Sequence, residues 1–228
     1  MRTLPSLRIW LIAFACAAAS AASSAAETPL RVAFVISEDF NVIDFAGPWE
    51  VFQDAVIPPA ASGAQSRKPF ELYTVAAKPE PVSSTDGARV IPKYTFETAP
   101  APDIVMIGAQ SDASPELMAW LRKQYAANAT LASVCVGARQ LASTGLLDGK
   151  QATTHHDFVD RLRSRYPQVK WLKGQRFVRS DPHLYTAGGL TSGIDLALHL
   201  VAERFGDAAA QATAEEMEYH GDGWKRSD

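Results

Sequence analysis

The chain has 228 residues, 47% of them hydrophobic, and a formal net charge of −3 at pH 7. This length suits one α/β domain with a sizeable core better than two domains. The slightly acidic balance lacks the basic surface that nucleic-acid binding requires, so we expect no nucleic-acid partner.

The first 26 residues have the pattern of an export signal. Arg2 and Arg8 precede a short, alanine-rich apolar run, and small residues then lead up to Ala26. The run is short for a membrane span, although an uncleaved anchor is the alternative. We expect cleavage after Ala26, a periplasmic location, no membrane span after cleavage, and a single domain over residues 27–228. Cleavage would remove Cys16 and leave Cys135 as the only cysteine.

Buried-strand patterns alternate with helical patterns along the rest of the chain. The strands are predicted at 30–36, 70–76, 103–107, 130–135, 151–155, 169–172, 175–180 and 183–187. The helices are predicted at 45–55, 114–125, 138–144, 156–166, 190–204 and 207–219. Prolines break 78–102 into short pieces, with a possible edge strand or hairpin at 88–91. This alternation predicts an α/β fold, with a mostly parallel sheet covered by helices on both faces.

The segment 130–139 predicts a strand, a sharp turn and a helix. Its apolar run stops at Cys135, Gly137 marks the turn, and helix-forming residues follow. In such a nucleophile elbow, the side chain at the turn stands above the sheet, beside backbone N–H groups of the following helix. We expect these groups, with that of Val136 among them, to lower the pKa of the Cys135 thiol.

Two further segments end at the same edge of the predicted sheet. Asp44 lies in the loop after the first strand, and Gly108 and Ala109 follow a later buried strand. Ligand sites of parallel sheets form at these carboxyl ends. We therefore expect Asp44, partly buried and with a raised pKa, to serve as an acid beside Cys135. Backbone N–H groups of Gly108, Ala109 and Val136 would bind the negative charge that develops on a substrate.

Each of these residues also has a structural interpretation. A lone cysteine often packs in a core as a small hydrophobe, and an acid before a helix often caps it. His155 and His156 suggest a metal or a Cys/His dyad, but adjacent residues on a strand point apart. We expect no metal site and no cofactor.

Four segments resemble the ThiJ/PfpI superfamily, which has the class I glutamine amidotransferase-like fold. They lie at 44–52, 133–137, 145–155 and 188–199. The resemblance points to the isonitrile hydratase branch and to the ligand domains of AraC-like regulators.

The resemblance implies a flavodoxin-like three-layer sandwich, a homodimer, and catalytic roles for Cys135 and Asp44. His155 matches a histidine that some branches place near the sulfur. Two features depart from the family pattern. Val136 stands where isonitrile hydratases have a threonine, and Ile-Gly-Ala at 107–109 stands where the family has Pro-Gly-Gly.

The leading hypothesis is an exported isonitrile hydratase-like enzyme that converts a small isocyanide to an N-substituted formamide through a thioimidate on Cys135. A periplasmic thiol sensor or protective protein, oxidised at Cys135, is a second hypothesis. A glyoxalase or deglycase with His155 as base is a third. A ligand module of an AraC-like regulator ranks last, since no helix-turn-helix follows the last predicted helix.

Overall fold

The computed structural model describes residues 28–55, 57 and 68–225. The predicted export signal lies outside these residues, as does most of the predicted loop at 58–69.

The described residues form a central sheet flanked by two small ones. The strands are β1 (Leu30–Val35), β2 (Phe70–Ala76), β3 (Val82–Ser83), β4 (Arg89–Val90), β5 (Tyr94–Thr95), β6 (Ile104–Ile107), β7 (Thr130–Ser133), β8 (Gln151–Ala152), β9 (Lys170–Trp171), β10 (Phe177–Asp181) and β11 (Leu184–Ala187). The central sheet has the order β10-β11-β7-β6-β1-β2-β5, and its neighbours are parallel except for β10 against β11. The pairs β3-β4 and β8-β9 stand apart from it.

Helices cover both faces of the central sheet. They are α1 (Val42–Asp54), α2 (Pro115–Ala126), α3 (Ala138–Ser143), α4 (Val159–Arg165), α5 (Ser192–Phe205) and α6 (Asp207–Glu216). Helices α1, α5 and α6 pack on one face, and α2, α3 and α4 pack on the other. The predicted flavodoxin-like three-layer sandwich is confirmed. None of the helices in the described part of the chain is long and apolar enough to cross a membrane.

Alternating side chains of each central strand pack into two separate hydrophobic cores, one on each face of the sheet. On β1, Val32 and Phe34 face the core under α1 and α5, whereas Ala33 and Val35 face the core under α2 and α3. A strand buried on both faces needs apolar side chains at every position. This explains the unbroken apolar runs in the sequence.

Helix α1 begins three residues earlier than the sequence pattern predicted. The side chain of Asn41 caps it by accepting a hydrogen bond from the Ile43 N–H at 3.2 Å. Asp44 therefore lies in the first turn of α1, not in a loop before it, and the capping role belongs to Asn41. This removes the structural interpretation of Asp44 as the helix cap.

Candidate active site

Cys135 occupies a strained turn directly after β7. Its φ angle is 56°, a left-handed conformation that costs a non-glycine residue about 1–2 kcal/mol. Two hydrogen bonds hold this geometry: the Cys135 N–H donates to the Gly188 carbonyl at 2.8 Å, and the Thr154 hydroxyl donates to the Cys135 carbonyl at 2.8 Å. The turn is also crowded, because a Cβ at Gly137 would lie 2.2 Å from the Ile107 carbonyl oxygen.

Asp44 faces this turn from the start of α1 and is 1% exposed. Its Oδ2 accepts a hydrogen bond from the Ala109 N–H at 3.0 Å, while Oδ1 is buried without a partner of standard geometry among the described residues. The loop after β6 approaches so closely that a Cβ at Gly108 would lie 2.7 Å from the Asp44 Cβ. The carboxyl ends of β1, β6 and β7 thus bring Asp44, Gly108, Ala109 and Cys135 together.

Burial controls the charge of Asp44. It raises the pKa of the carboxyl to about 6, although the Ala109 N–H, the Cys135 thiol and the Leu190 N–H each favour the ionised form. The predicted upward shift of the Asp44 pKa agrees with this value, but the predicted role as an acid that already holds a proton at neutral pH does not. At neutral pH the carboxyl is mostly ionised, so it is placed to accept a proton.

The predicted lowering of the Cys135 pKa is wrong. Burial, and then the charge of Asp44, raise the pKa of the thiol to about 12, while the N–H groups of Val136 and Leu190 lower it only in part. From Cys135 the chain forms a single 3-10 turn and then α3, which has only six residues. The dipole of so short a helix is too weak to offset the desolvation of a thiolate. The resting proton therefore lies on the sulfur.

His155 lies at the edge of the site and is 20% exposed at its side chain. Strand β8 ends at Ala152, so His155 instead caps a 3-10 turn, where its Nδ1 accepts a hydrogen bond from the Asp157 N–H at 3.3 Å. Within the described residues it makes no hydrogen bond to Cys135. The prediction that His155 and His156 point apart is also wrong, because their rings stack with centroids 4.3 Å apart.

Sequence reasoning missed two residues that contact the elbow. Thr154, not His155, bonds to the backbone of Cys135, and Leu190 directs its N–H toward both the thiol and the Asp44 carboxyl. Leu190 has a φ of 54°, which follows from the tight turn through Gly188 and Gly189. That glycine pair was a usable signal, since backbone that approaches another group closely often needs glycine.

A hollow of 390 Å³ lies between the start of α1, the turn at Leu190 and the residues after β3. Its lining is mixed, with apolar Phe40, Val42, Ile43, Ala46 and Leu190 and polar Asn41, Ser84, Thr85 and Asp86. Ile43 precedes Asp44 in α1, and the backbone of Leu190 faces the sulfur. Asp44 and Cys135 are not among the residues that line it, so the hollow is linked to them only through these neighbours.

Comparison with known proteins places this geometry in a family. The profile of the DJ-1/PfpI family matches residues 30–203. The chain belongs to the DJ-1/PfpI family. This confirms the resemblance noted in the sequence.

Relatives of this DJ-1/PfpI chain include an enzyme and a transcriptional regulator. It is 30% identical over 195 residues to an isonitrile hydratase of Pseudomonas putida, which covers 83% of this chain and 78% of that protein. It is 26% identical over 195 residues to the HTH-type transcriptional regulator GbdR of Pseudomonas aeruginosa, which covers 84% of this chain but 51% of the regulator. The chain thus spans about half of that regulator's length.

A solved structure has the same architecture. The crystal structure of a ThiJ/PfpI family protein from Pseudomonas syringae superposes with a TM-score of 0.72 at 26% identity, over 86% of this chain and 77% of that one. The fold is therefore shared along nearly all of the described DJ-1/PfpI domain.

Proposed function

We propose that this protein is an exported, isonitrile hydratase-like enzyme that adds water to a small isocyanide to give an N-substituted formamide. One observation carries the proposal: a buried carboxylate, Asp44, is placed beside the protonated thiol of Cys135 at a nucleophile elbow. The similarity to an isonitrile hydratase over most of the chain supports the choice of substrate class.

The first half of the reaction forms a carbon–sulfur bond. Asp44 takes the thiol proton while the Cys135 sulfur attacks the terminal carbon of the isocyanide. The N–H groups of Val136 and Leu190 stabilise the thiolate as it forms. Asp44 then delivers the same proton to that carbon, which gives a thioimidate.

The second half releases the product. Water adds to the thioimidate carbon as Asp44 accepts one of its protons, and the substrate nitrogen gains a proton. The carbon–sulfur bond then breaks, the sulfur regains a proton, and an N-substituted formamide leaves. One isocyanide and one water are consumed for each formamide.

The hollow suits the substituent of such a substrate. Its apolar part, formed by Phe40, Val42 and Leu190 among others, favours an alkyl or aryl group, and the Asp86 carboxylate in the same lining disfavours an anion. We therefore assign the substrate as a small neutral molecule with an apolar substituent.

The test uses purified protein and cyclohexyl isocyanide, with the formamide measured by mass spectrometry. We expect turnover in the native protein, none in Cys135→Ser, and a loss of about 100-fold or more in Asp44→Asn. His155→Ala serves as the control at the edge of the site and should retain turnover. Failure to convert any of several isocyanides at high enzyme concentration would exclude this substrate class.

The pH dependence follows from the same acid. Because Asp44 must be ionised to accept the thiol proton, kcat/KM should fall as the pH drops below about 6, the pKa of this carboxyl. A rate that stays constant from pH 5 to 8 would contradict the role of Asp44 as base.

The other hypotheses draw less support from the geometry. An oxidation sensor reacts as the thiolate, whereas burial raises the pKa of Cys135. A glyoxalase or deglycase with His155 as its base needs that ring at the sulfur, and the His155 Nδ1 instead accepts a hydrogen bond from the Asp157 N–H. Methylglyoxal turnover that is lost in His155→Ala would favour that alternative over the hydratase.

Export and dimerisation belong to the same proposal. Val42 and Leu190 are 45% and 41% exposed, and a second copy packed over them would close the hollow from solvent. Light scattering should give the mass of two chains, and mass spectrometry of periplasmic protein should find Glu27 at the N-terminus. We propose a small molecule as the ligand and no nucleic acid; a mobility shift with arbitrary duplex DNA would contradict the second part.

A further inference from the structure

Three arginines line one groove between the elbow and α4. This arginine groove has a volume of 250 Å³ and is lined by Val136, Arg139, Phe158, Arg161, Leu162 and Arg165. Arg139 lies near the start of α3, whereas Arg161 and Arg165 lie one turn apart in α4. Residues four apart share one face of a helix, so the two α4 arginines reach the groove from one side and Arg139 reaches it from the other. Three positive charges thus border one small space, in a chain whose net charge is −3.

These arginines form no ion pair with a carboxylate among the residues that the structure describes. The acids next to them in the sequence are engaged elsewhere: Asp160 pairs with Arg163, and Asp157 contacts the two histidines before it. Like charges four residues apart on a helix repel each other. An anion bound in the groove would therefore relieve a repulsion that the chain itself leaves uncompensated.

The guanidinium groups keep N–H donors for a ligand. Arg139 is half-buried, and its Nη2 donates to two carbonyls of the loop after β6, at 3.0 and 3.4 Å. This contact orients the side chain and leaves Nε and Nη1 without a partner in the described part of the chain. Arg165 donates from Nε to the Tyr166 hydroxyl at 3.3 Å and lies over that ring, which likewise leaves its two terminal nitrogens to a ligand.

The shape of the groove indicates the class of anion. A guanidinium group binds phosphate or carboxylate oxygens with two parallel N–H donors. Three such groups, arriving from two helices, suit the several oxygens of a tetrahedral phosphate better than the two oxygens of a planar carboxylate. The remaining lining residues, Val136, Phe158 and Leu162, are apolar, so they would accept an apolar group attached to the phosphate.

We propose that the three arginines of this groove bind the phosphate group of a small phosphate monoester, whose apolar part packs against Val136 and Phe158. Val136 directly follows Cys135, so this ligand would lie next to the elbow. It would be a second ligand, distinct from the proposed isocyanide substrate. The site uses neither the Asp44 carboxyl nor the Cys135 sulfur, and it stands whether or not the protein hydrates isocyanides.

The test is calorimetric titration of the purified protein with phenyl phosphate and with inorganic phosphate at low salt. We expect one equivalent of phenyl phosphate to bind, several-fold more tightly than inorganic phosphate, because its ring adds apolar contact. Arg161→Gln and Arg165→Gln should each weaken binding by about tenfold or more. Both arginines are exposed, so these variants should fold, which circular dichroism can verify.

Arg163→Gln is the matched control. Arg163 lies in the same helix between Arg161 and Arg165, but it pairs with Asp160 and does not line the groove. Its replacement removes the same charge and should change the affinity for phenyl phosphate by less than about twofold. Absence of binding at millimolar phenyl phosphate, an equal loss of affinity in Arg163→Gln, or tighter binding of the dicarboxylate malonate would overturn the assignment.

Discussion

The energetic cost of the left-handed backbone at Cys135 can be measured by comparing alanine with glycine at this position. Glycine adopts a φ of 56° without steric cost, whereas any residue with a Cβ loses about 1–2 kcal/mol there. Ala138, three residues later, is a matched position because it is also buried but has an ordinary φ of −58°. The variants to compare are Cys135→Ala with Cys135→Gly, and the native protein with Ala138→Gly.

Apart from the left-handed strain, the alanine-to-glycine exchange has the same energetic costs at positions 135 and 138. Replacing alanine by glycine loses about 0.8 kcal/mol of methyl burial and about 1 kcal/mol of backbone entropy. At position 138 these losses are fully present, so the exchange should lower the free energy of unfolding by about 2 kcal/mol. At position 135 relief of the left-handed strain offsets them, and the exchange should cost close to zero. Urea denaturation measures both, and equal costs at the two positions would refute the claim that Cys135 is strained.

Three further predictions concern the same site. Burial raises the pKa of Asp44 from 3.8 to about 6, so ionised Asp44 destabilises the fold above pH 6, whereas below pH 4 the carboxyl is neutral in both states. The Asp44→Asn variant should therefore have a free energy of unfolding up to about 3 kcal/mol higher than the native protein at pH 8, and about the same at pH 4, as measured by urea denaturation. A gain that grows toward low pH would contradict this sign. Thr154→Val should lower the free energy of unfolding by about 1 kcal/mol and also lower isocyanide turnover. The control Thr153→Val loses a similar hydrogen bond, to the Leu172 carbonyl, and should lower stability alone. Equal effects of the two variants on turnover would show that Thr154 does not position Cys135. Gly137→Ala should lower the melting temperature by several degrees, since the added Cβ would meet a backbone carbonyl of β6 at 2.2 Å, and an unchanged melting temperature would show that the turn can yield.

The central layers could be predicted from the sequence because their signals are local. Apolar runs such as the one at β1 can only be buried on both faces, and Ser114 with Pro115 marks the start of α2. In the segment 78–102 only the possible edge strand or hairpin at 88–91 was indicated, and β4 does pair there with β3 in antiparallel fashion. Its strands β3, β4 and β5 have two residues each and exist through tertiary pairing, as where β5 joins the edge of β2.

The positions of the site residues could be predicted from the sequence, but the protonation state of the Cys135 thiol could not. Three segments that end at one sheet edge must meet there, so Asp44, Ala109 and Cys135 come together as the sequence indicates. The pKa of a thiol depends on how deeply the whole fold buries it, and a short sequence motif carries no information about that depth. The stacking of His155 on His156 depended likewise on the residue at which β8 ends.

A protonated resting thiol changes how the elbow should be understood. A cysteine kept as a thiolate is open to oxidants at all times, whereas the Cys135 proton leaves only when Asp44 accepts it. In the proposed reaction the carboxylate and the sulfur share one proton, and a substrate that bonds to the sulfur would shift that proton to the carboxyl. The side chain after the cysteine is less important in this scheme, because residue 136 contributes its backbone N–H to the sulfur and valine preserves that group. If the proposed reaction is right, burial of Cys135 would couple activation of the sulfur to the arrival of substrate.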